Sequence, residues 1–490
     1  MGYIVKAKEA VGRGVGGMGQ EEGELTAGAL AQTSWPDREP TAGALVQSSR
    51  LGRASEPSTR ATPGLGSAPR KAGRVNEVTG LVVRATVAGA RLGEIAILGS
   101  GDGSDPLSRV PAEVVGFRGD EVVLMPLGPL PAIGPDAVVS PTGRRLLVRV
   151  GDGLLGRVLD GLGRPMDGGG LVAGRTEEWP VDRGAPDPLL RRRIARPLSF
   201  GIRAIDGCLT VGEGQRIGVF AGSGLGKSQL LGQIARQADS DVNVVCLVGE
   251  RGREVRELWD EAIGQEGRGR CVLVCATGDE AALLRIKSTL VATAIAEWFR
   301  ARGRRVLLLL DSLTRLAHAQ REVGLAAGEL PVRQGYPPSV FALLPRLLER
   351  AGNAQHGSIT ALYTVLLPGG DMEEPIADEA RAALDGHIVL SRNMAERGHW
   401  PAIDVLASLS RVMGLVVDAG QGEAAAKLRE LIACYEEKRD LIALGAYRAG
   451  SDARVDRALA KMAAIDGFLR QGLRERSSPG QTRQRLLALL

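Results

Sequence analysis

Hydrophobic residues between Gly73 and Val150 occur in short runs that turn residues interrupt. Runs of this length at close spacing are typical of the short strands of a small, closed sheet. The runs are Gly80–Arg84, Leu92–Leu98, Ala112–Phe117, Glu121–Met125 and Arg145–Val150. The pattern therefore predicts a β-barrel domain over residues 73–150.

After Gly151 the pattern changes to apolar strands that alternate with longer helical stretches. It predicts strands at Gln215–Phe220, Asn243–Val248 and Arg305–Leu310, with a helix over Ala281–Ala301. Such alternation is typical of a mostly parallel sheet with helices on its faces. We therefore expect an α/β domain over residues 151–400.

The two ends of the chain differ from these domains. In residues 401–490, apolar positions follow a helical period from Leu428 to Ile442 and again from Val455 to Leu469, which predicts a helical domain. Residues 1–72 are rich in Gly, Ala, Ser, Thr and Pro and show no sustained period, so we expect them to be mostly disordered.

Composition narrows the class of protein. The 62 basic residues exceed the 57 acidic ones by only five, and arginine, not lysine, makes up most of them, which favours genome composition over a nucleic-acid surface. The 5 cysteines have no Cys-x-x-Cys spacing, which fits a reducing compartment. No apolar run approaches the roughly 18 residues that span a bilayer, and residues 1–25 lack a signal-peptide core. We expect a cytoplasmic protein without a nucleic-acid partner.

The strongest chemical signal is a glycine-rich loop between a strand and a helix. Glycines there let backbone N–H groups turn toward a phosphate, the helix N-terminus favours negative charge, and the lysine reaches the β- and γ-phosphates. The predicted ATP-binding stretch comprises Ala221, Gly222, Ser223, Gly224, Leu225, Gly226, Lys227, Ser228 and Gln229. The Ser228 hydroxyl is expected to bind Mg²⁺. Ala221 replaces the first glycine of the usual pattern, so the loop works only if this residue needs no positive φ.

Two carboxylates are expected beside this loop. Asp311 ends a buried aliphatic strand, and we expect it to hold the Mg²⁺ shell. Glu250 ends the strand that begins at Asn243, at the same sheet edge, where a carboxylate can act as general base toward the attacking water. The alternative for Glu250 is a solvated ion-pair cluster with Arg251, Arg253 and Glu254.

These segments together resemble the catalytic chains of the rotary ATPase superfamily, which includes the F- and V-type enzymes and the flagellar and type III secretion export ATPases. Pro401–Ser410, followed by Arg411, is similar to the signature of that superfamily, and the resemblance runs from about Gly73 to Leu469. It implies an α/β fold: a RecA-like P-loop nucleotide domain with an N-terminal β-barrel and a C-terminal helical domain.

Several segments look most similar to the type III secretion branch, the injectisome ATPase, although most of them also look like the flagellar paralogue. They include Gly249–Val255, Arg321–Glu329 and Gly335–Phe341. The segments that favour the injectisome are Val75–Gly80, Gly89–Glu94 and Ile465–Gln471. The implied partners are stator and central-stalk proteins, export chaperones and their substrates. The implied location is the cytoplasmic face of the inner membrane, beside the export gate.

The resemblance also implies roles for individual residues. Arg251 lies in the catalytic loop, and Tyr363 matches an aromatic that packs on adenine, with a core tyrosine as the alternative. Arg411 matches a guanidinium that stabilises the transition state, supplied by a neighbouring subunit. Because the P-loop, Glu250 and Arg411 occur in one chain, a homohexamer is implied. A rotary ATP synthase subunit and an RNA translocase remain as other classes. An RNA translocase needs aromatic residues in its N-terminal barrel to stack on RNA bases, and residues 73–150 contain only Phe117.

Overall fold

The structure is a computed structural model that describes residues 72–99, 109–130, 133–134 and 137–489. The predicted disordered segment, residues 1–72, lies outside this part of the chain except for its last residue.

An antiparallel β-barrel forms the N-terminal domain, as the sequence predicted. Its strands close in the order β1-β2-β5-β4-β3-β6, around a core of alternate side chains such as Val83, Leu98 and Leu124. The strands are β1 Gly73–Thr79, β2 Val82–Thr86, β3 Ile95–Gly99, β4 Val110–Arg118, β5 Glu121–Pro126 and β6 Val138–Pro141.

The prediction that Arg145–Val150 completes the barrel was wrong. Residues Leu147–Val150 (β7) pair with Glu177–Pro180 (β9) in a separate two-stranded ribbon. The barrel instead closes through β1 and β6, whose short or charged sequences gave no clear apolar run. The run at β7 is apolar because it packs on the nucleotide domain, where Val148 and Val150 join the core.

The central domain is a mostly parallel sheet with helices on both faces, which confirms the predicted fold class. Its strand order in the described residues is β19-β18-β12-β17-β15-β13-β14-β8, with β16 beside β17. The remaining strands are β8 Val158–Leu159, β10 Pro197–Leu198, β11 Val211–Gly212, β12 Arg216–Ala221, β13 Val242–Glu250, β14 Cys271–Thr277, β15 Arg305–Asp311, β16 Gly352–Asn353, β17 Ser358–Leu366, β18 Gly386–Leu390 and β19 Ile403–Ser410.

Helices cover this sheet and form the C-terminal domain. They are α1 Arg203–Cys208, α2 Lys227–Gln237, α3 Gly252–Glu257, α4 Gly264–Arg268, α5 Ala282–Ala301, α6 Leu313–Ala326, α7 Pro338–Leu348, α8 Pro375–Ala383, α9 Arg392–Glu396, α10 Met413–Val416, α11 Ala419–Ala443, α12 Ala453–Leu469 and α13 Pro479–Leu489. A π-helical turn, Leu258–Ile263, joins α3 to α4. Among the described helices, none is long and apolar enough to cross a membrane.

The helical domain begins later than predicted. Residues 401–490 were assigned to it, but β19 within this range is an edge strand of the central sheet, antiparallel to β18. The helices α11, α12 and α13 follow, and they pack on the sheet through residues such as Leu428, Ile465 and Leu486. The segment that ends at Arg411 therefore belongs to the nucleotide domain.

Candidate active site

The phosphate loop lies where the sequence predicted it. Strand β12 ends at Ala221, and α2 begins at Lys227, so the N–H groups of the first turn of α2 face the loop and form an anion site. Gly224 and Gly226 have φ values of +78° and +77°, which glycine adopts without strain. Among the described residues other than glycine, a positive φ occurs at Gln334 and not at Ala221, so the condition placed on the alanine is met.

Two carboxylates meet Lys227 at the carboxyl edge of the sheet. Strands β13 and β15 are parallel neighbours, and they end at Glu250 and Asp311. Lys227 Nζ forms a short ion pair with Asp311 and lies 3.7 Å from Glu250 Oε1. Thr364 Oγ1 donates to Asp311 Oδ1 at 2.6 Å, which fixes that carboxylate. The structure thus brings together three residues that are far apart in the sequence.

Glu250 is a buried carboxylate, not a member of a solvated cluster. Its exposed fraction is 5%, whereas Arg253 is exposed and pairs with Glu257 at 3.0 Å. Burial raises the pKa of the Glu250 carboxyl; the Lys227 ammonium opposes this shift, and a hydrogen bond with Glu254 adds to it. A carboxyl with a raised pKa is suited to accept a proton near neutral pH. Arg251 is exposed at the N-cap of α3 and is not part of this group of contacts.

Arg315 is a site residue that the sequence analysis missed. Its Nε and Nη2 atoms donate to Glu250 Oε1 and Oε2, at 3.0 and 3.3 Å. The residue lies in the first turn of α6, which Ser312 caps directly after Asp311, so the helix start aims the guanidinium at the same sheet edge. The sequence signal for Arg315 was its place four residues after Asp311, which ends β15.

Trp400 is a second residue that was missed. Its ring lies against the phosphate loop, because a Cβ atom built on Gly226 would lie 2.8 Å from Trp400 Cζ3. The residue remains 39% exposed, so part of it is accessible to solvent beside the loop. Trp400 is far from the loop in the sequence, so the sequence alone did not indicate this contact.

Tyr363 does not have the position that was predicted for it. It lies in the middle of β17, with the neighbouring residues Gly218 on β12 and Leu310 on β15, and it is fully buried. A ring without an exposed face has nothing to offer an adenine base, so the predicted adenine contact was wrong. The alternative, a core tyrosine, is what the structure shows.

Arg411 lies at the amino end of β18, whereas the phosphate loop lies at the carboxyl ends of the parallel strands. Ser410 pairs with Gly386 at the amino end of β18, whereas Ala221 pairs with Leu390 at its carboxyl end. Four residues of strand separate these positions by about 13 Å. The Arg411 side chain is exposed. It therefore faces away from the Lys227 site of its own chain.

The oxygen donors beside Lys227 suit Mg²⁺ bound together with a nucleotide. Ser228 is exposed in the first turn of α2, and Asp311 supplies one carboxylate. Mg²⁺ usually takes one or two protein oxygens and completes its shell with phosphates and water. Within the described residues there is no group of three or more His, Cys, Asp or Glu side chains that could hold a metal by itself. The donor set fits a metal that arrives with ATP.

A parallel sheet with a glycine-rich phosphate loop, a strand-end Asp and a buried Glu defines a P-loop nucleotide-binding protein. Family models match in three consecutive regions. They are described as the ATP synthase alpha/beta family β-barrel domain (residues 75–143), its nucleotide-binding domain (201–410) and the T3SS EscN ATPase C-terminal domain (417–488).

Curated relatives come from two export systems. The chain is 52% identical to a type 3 secretion system ATPase of Xanthomonas euvesicatoria, over 82% of this chain and 90% of that protein. It is 51% identical to a flagellum-specific ATP synthase of Pseudomonas aeruginosa, over 85% of this chain and 93% of that protein. The chain belongs to the ATP synthase alpha/beta family, in its branch of type III secretion and flagellar ATPases, which confirms the predicted resemblance.

Solved structures agree with this assignment. The assembled ATPase EscN of the enteropathogenic E. coli type III secretion system superposes with a TM-score of 0.80 at 45% identity, covering 85% of this chain and 99% of that one. EscN in complex with its central stalk EscO superposes with a TM-score of 0.79. The three-domain order is therefore common to this chain and EscN.

Proposed function

We propose that this chain is the ATP-hydrolysing motor of a type III protein secretion apparatus, where it releases chaperones from export substrates and unfolds the substrates. The meeting of Lys227, Glu250 and Asp311 at one sheet edge carries the proposal. Family membership supports the coupling to export. The flagellar export ATPase is the alternative, since relatives from both systems match at nearly equal identity.

In this proposal the loop binds the phosphates of ATP. Backbone N–H groups of residues 222–228 and the Lys227 ammonium contact the β- and γ-phosphates, and Ser228 and Asp311 hold Mg²⁺. Bound Mg²⁺ offsets negative charge on the phosphate oxygens. Asp311 and Glu250 hold Lys227, so its charge is already at the phosphate position.

Glu250 orients and deprotonates the attacking water. Its burial beside Lys227 keeps the carboxylate inside the site, and the raised pKa favours proton acceptance. Arg315 pairs with Glu250 in the structure and is 37% exposed. A γ-phosphate would attract the same guanidinium, which would release Glu250 toward the water.

The adenine base stacks on Trp400 in our proposal, in place of the predicted Tyr363. The exposed indole lies directly against Gly226, next to the residues that bind phosphate. Stacking on an aromatic face contributes about 1–3 kcal/mol per base in nucleic-acid complexes. Arg251, which is exposed at the start of α3, is proposed to act at the edge of the site and not in its centre.

We propose that Arg411 completes the site of a neighbouring copy in a homohexamer. Arg411 lies at the end of the strands that is far from its own phosphate loop, and this position supports the proposal. A residue so placed can contact the nucleotide site of a neighbouring subunit across an interface. The related ATPase EscN is described as assembled. A lone subunit would then hydrolyse ATP slowly.

The proposed partners follow from the branch of the family. EscN is described in complex with its central stalk EscO, and we propose a central stalk, a stator, export chaperones and their substrates as partners of this chain. We propose a cytoplasmic location, with peripheral association at the inner-membrane export gate.

The test is the ATPase rate per subunit as a function of protein concentration, with molecular mass measured in parallel. We expect the specific rate to rise steeply as rings form, and the Lys227→Ala variant to be inactive at every concentration. A specific rate that does not change with ring formation would exclude the shared site. Stimulation by single-stranded RNA would instead favour an RNA translocase, and complementation of flagellar or injectisome export mutants separates the two export systems.

A further inference from the structure

The backbone of Trp400 is held by the C-terminal domain. The N–H group of Gln471, which follows α12, donates to the carbonyl oxygen of Trp400 at 2.8 Å. Arg470 Nη1 donates to the carbonyl oxygen of Gly398 in the same loop, at 3.1 Å. The C-terminal domain therefore holds the loop that places the indole against Gly226.

The side chain of Gln471 fixes this segment to the start of α1. Its Oε1 atom accepts from the N–H of Arg203 at 2.8 Å, and its Nε2 atom donates to the carbonyl oxygen of Gly201 at 2.7 Å. The same Nε2 donates to the carbonyl oxygen of Glu475 at 2.8 Å. Gln471 is only 4% exposed, and Gly201 and Arg203 are buried with it, so water does not readily replace its bonds to these two residues.

The phosphate-loop helix touches the same segment from the other side. Gln233 and Gln237 of α2 donate to the carbonyl oxygens of Gly472 and Glu475, at 3.4 and 3.1 Å. The segment of residues 470–475 therefore contacts both the helix that binds phosphate and the loop that carries Trp400.

We propose that Gln471 is a positioning residue of the nucleotide site: it holds Trp400 against the phosphate loop and so sets the affinity for the base of ATP. This inference rests on the proposed nucleotide function. In the Gln471→Ala variant, the buried N–H of Arg203 loses its partner, and the carbonyl of Gly201 keeps the longer bond from the N–H of Ser477, at 3.3 Å. The 470–475 segment then shifts to reach water or other partners, and Trp400 loses its fixed position.

The experiment measures steady-state KM and kcat for ATP and, separately, the quenching of Trp400 fluorescence on titration with ADP, with Trp400→Phe protein as the background. Stacking of a base on one aromatic ring contributes about a tenfold or larger factor to a binding constant. We expect Gln471→Ala, which loosens this ring, to raise KM and the ADP dissociation constant by up to about tenfold, with kcat changed less than about twofold.

Two further variants keep the test decisive if Gln471→Ala folds poorly. Arg470→Ala alters an exposed side chain and should shift the same constants in the same direction by a smaller factor. Gln481→Ala is the matched control, because Gln481 is exposed on α13 and, within the described part of the chain, bonds only to Ser478.

The proposal is overturned if folded Gln471→Ala and Arg470→Ala bind ADP as the parent does, or if Gln481→Ala weakens binding equally. Failure of the proposed function looks different: the parent protein itself would then bind ADP without hydrolysing ATP, or would bind no nucleotide.

Discussion

Lys227 and Arg411 lie at opposite ends of the strands of the same sheet. Lys227 follows the carboxyl end of β12, whereas Arg411 follows Ser410, which pairs with the first residue of β18. The chain contains both the phosphate loop and the arginine of the proposed reaction, but it holds them apart. In the proposed reaction, one subunit therefore supplies only one half of each site.

Removing the Arg411 guanidinium should abolish turnover and spare binding. An arginine supplied to the transition state accounts for about 10³–10⁵ in rate, so Arg411→Ala should lower kcat by about that factor while the ATP dissociation constant stays the same. Steady-state kinetics and nucleotide titration on assembled protein measure the two effects. Arg457→Ala is the matched control, because Arg457 is exposed on α12 and, among the residues that the structure describes, bonds only to its own helix. Loss of ATP binding in Arg411→Ala would assign this residue a different role.

The raised pKa of Glu250 predicts a pH effect. In the proposed reaction Glu250 is the base, which is active only when deprotonated, and its pKa lies above the usual value of 4.5. The acid limb of kcat/KM should therefore fall at higher pH than an ordinary Glu gives, since this parameter reports the free enzyme. Activity is present above the raised pKa and is lost as the pH falls through it.

Two substitutions should move this limb in opposite directions. Glu254→Gln removes a negative neighbour that raises the pKa of Glu250, so the limb should move to lower pH. Arg315→Gln removes a positive neighbour that lowers this pKa, so the limb should move to higher pH. A pH–rate profile of each variant measures the shift. Shifts in the same direction would show that another group controls the limb.

The assignment of the base contact to Trp400 instead of Tyr363 is directly testable. Trp400→Ala should weaken ATP binding by about 1–3 kcal/mol, the contribution of one stacked base. Tyr363→Phe should leave ATP binding unchanged. Within the described residues the buried Tyr363 hydroxyl has no hydrogen-bond partner, so its removal should not lower the free energy of unfolding. Isothermal titration and thermal unfolding measure both quantities. Unchanged ATP binding in Trp400→Ala would exclude the stacking contact.

The sequence predicted the parts of the site that are contiguous or lie at strand ends. The phosphate loop is one segment, and Glu250 and Asp311 end apolar strands whose parallel pairing is implied by the helices between them. Trp400 reaches the loop only because the sheet places β18 beside β12, which no local pattern records. Tyr363 was misassigned because its role came from the resemblance to related catalytic subunits, and an aromatic residue in an apolar strand has the same sequence pattern whether it faces the core or a ligand.

A buried ion pair behind the sheet should be important for stability. Arg350 donates to both carboxylate oxygens of Glu297, at 2.9 and 2.8 Å, and both side chains are almost completely buried. Removing one partner of such a pair costs about 3–5 kcal/mol, because the other charge remains buried and unpaired. Glu297→Gln should therefore lower the free energy of unfolding strongly, as measured by urea denaturation.

The double variant Glu297→Leu with Arg350→Met is the control for this pair. Apolar residues of similar volume leave no unpaired charge, so the double variant should lose less stability than Glu297→Gln alone. Equal or additive losses would show that the pair itself, and not the orphaned charge, sets the cost.

The shared site is tested most directly by mixing two inactive variants, Lys227→Ala and Arg411→Ala, in one ring. With random mixing, about a quarter of the interfaces combine an intact phosphate loop from one subunit with an intact Arg411 from its neighbour. When rings carrying both variants are isolated with two affinity tags, their ATPase activity should return to about a quarter of the parent rate. Mixed rings that remain as inactive as either variant alone would contradict the shared site.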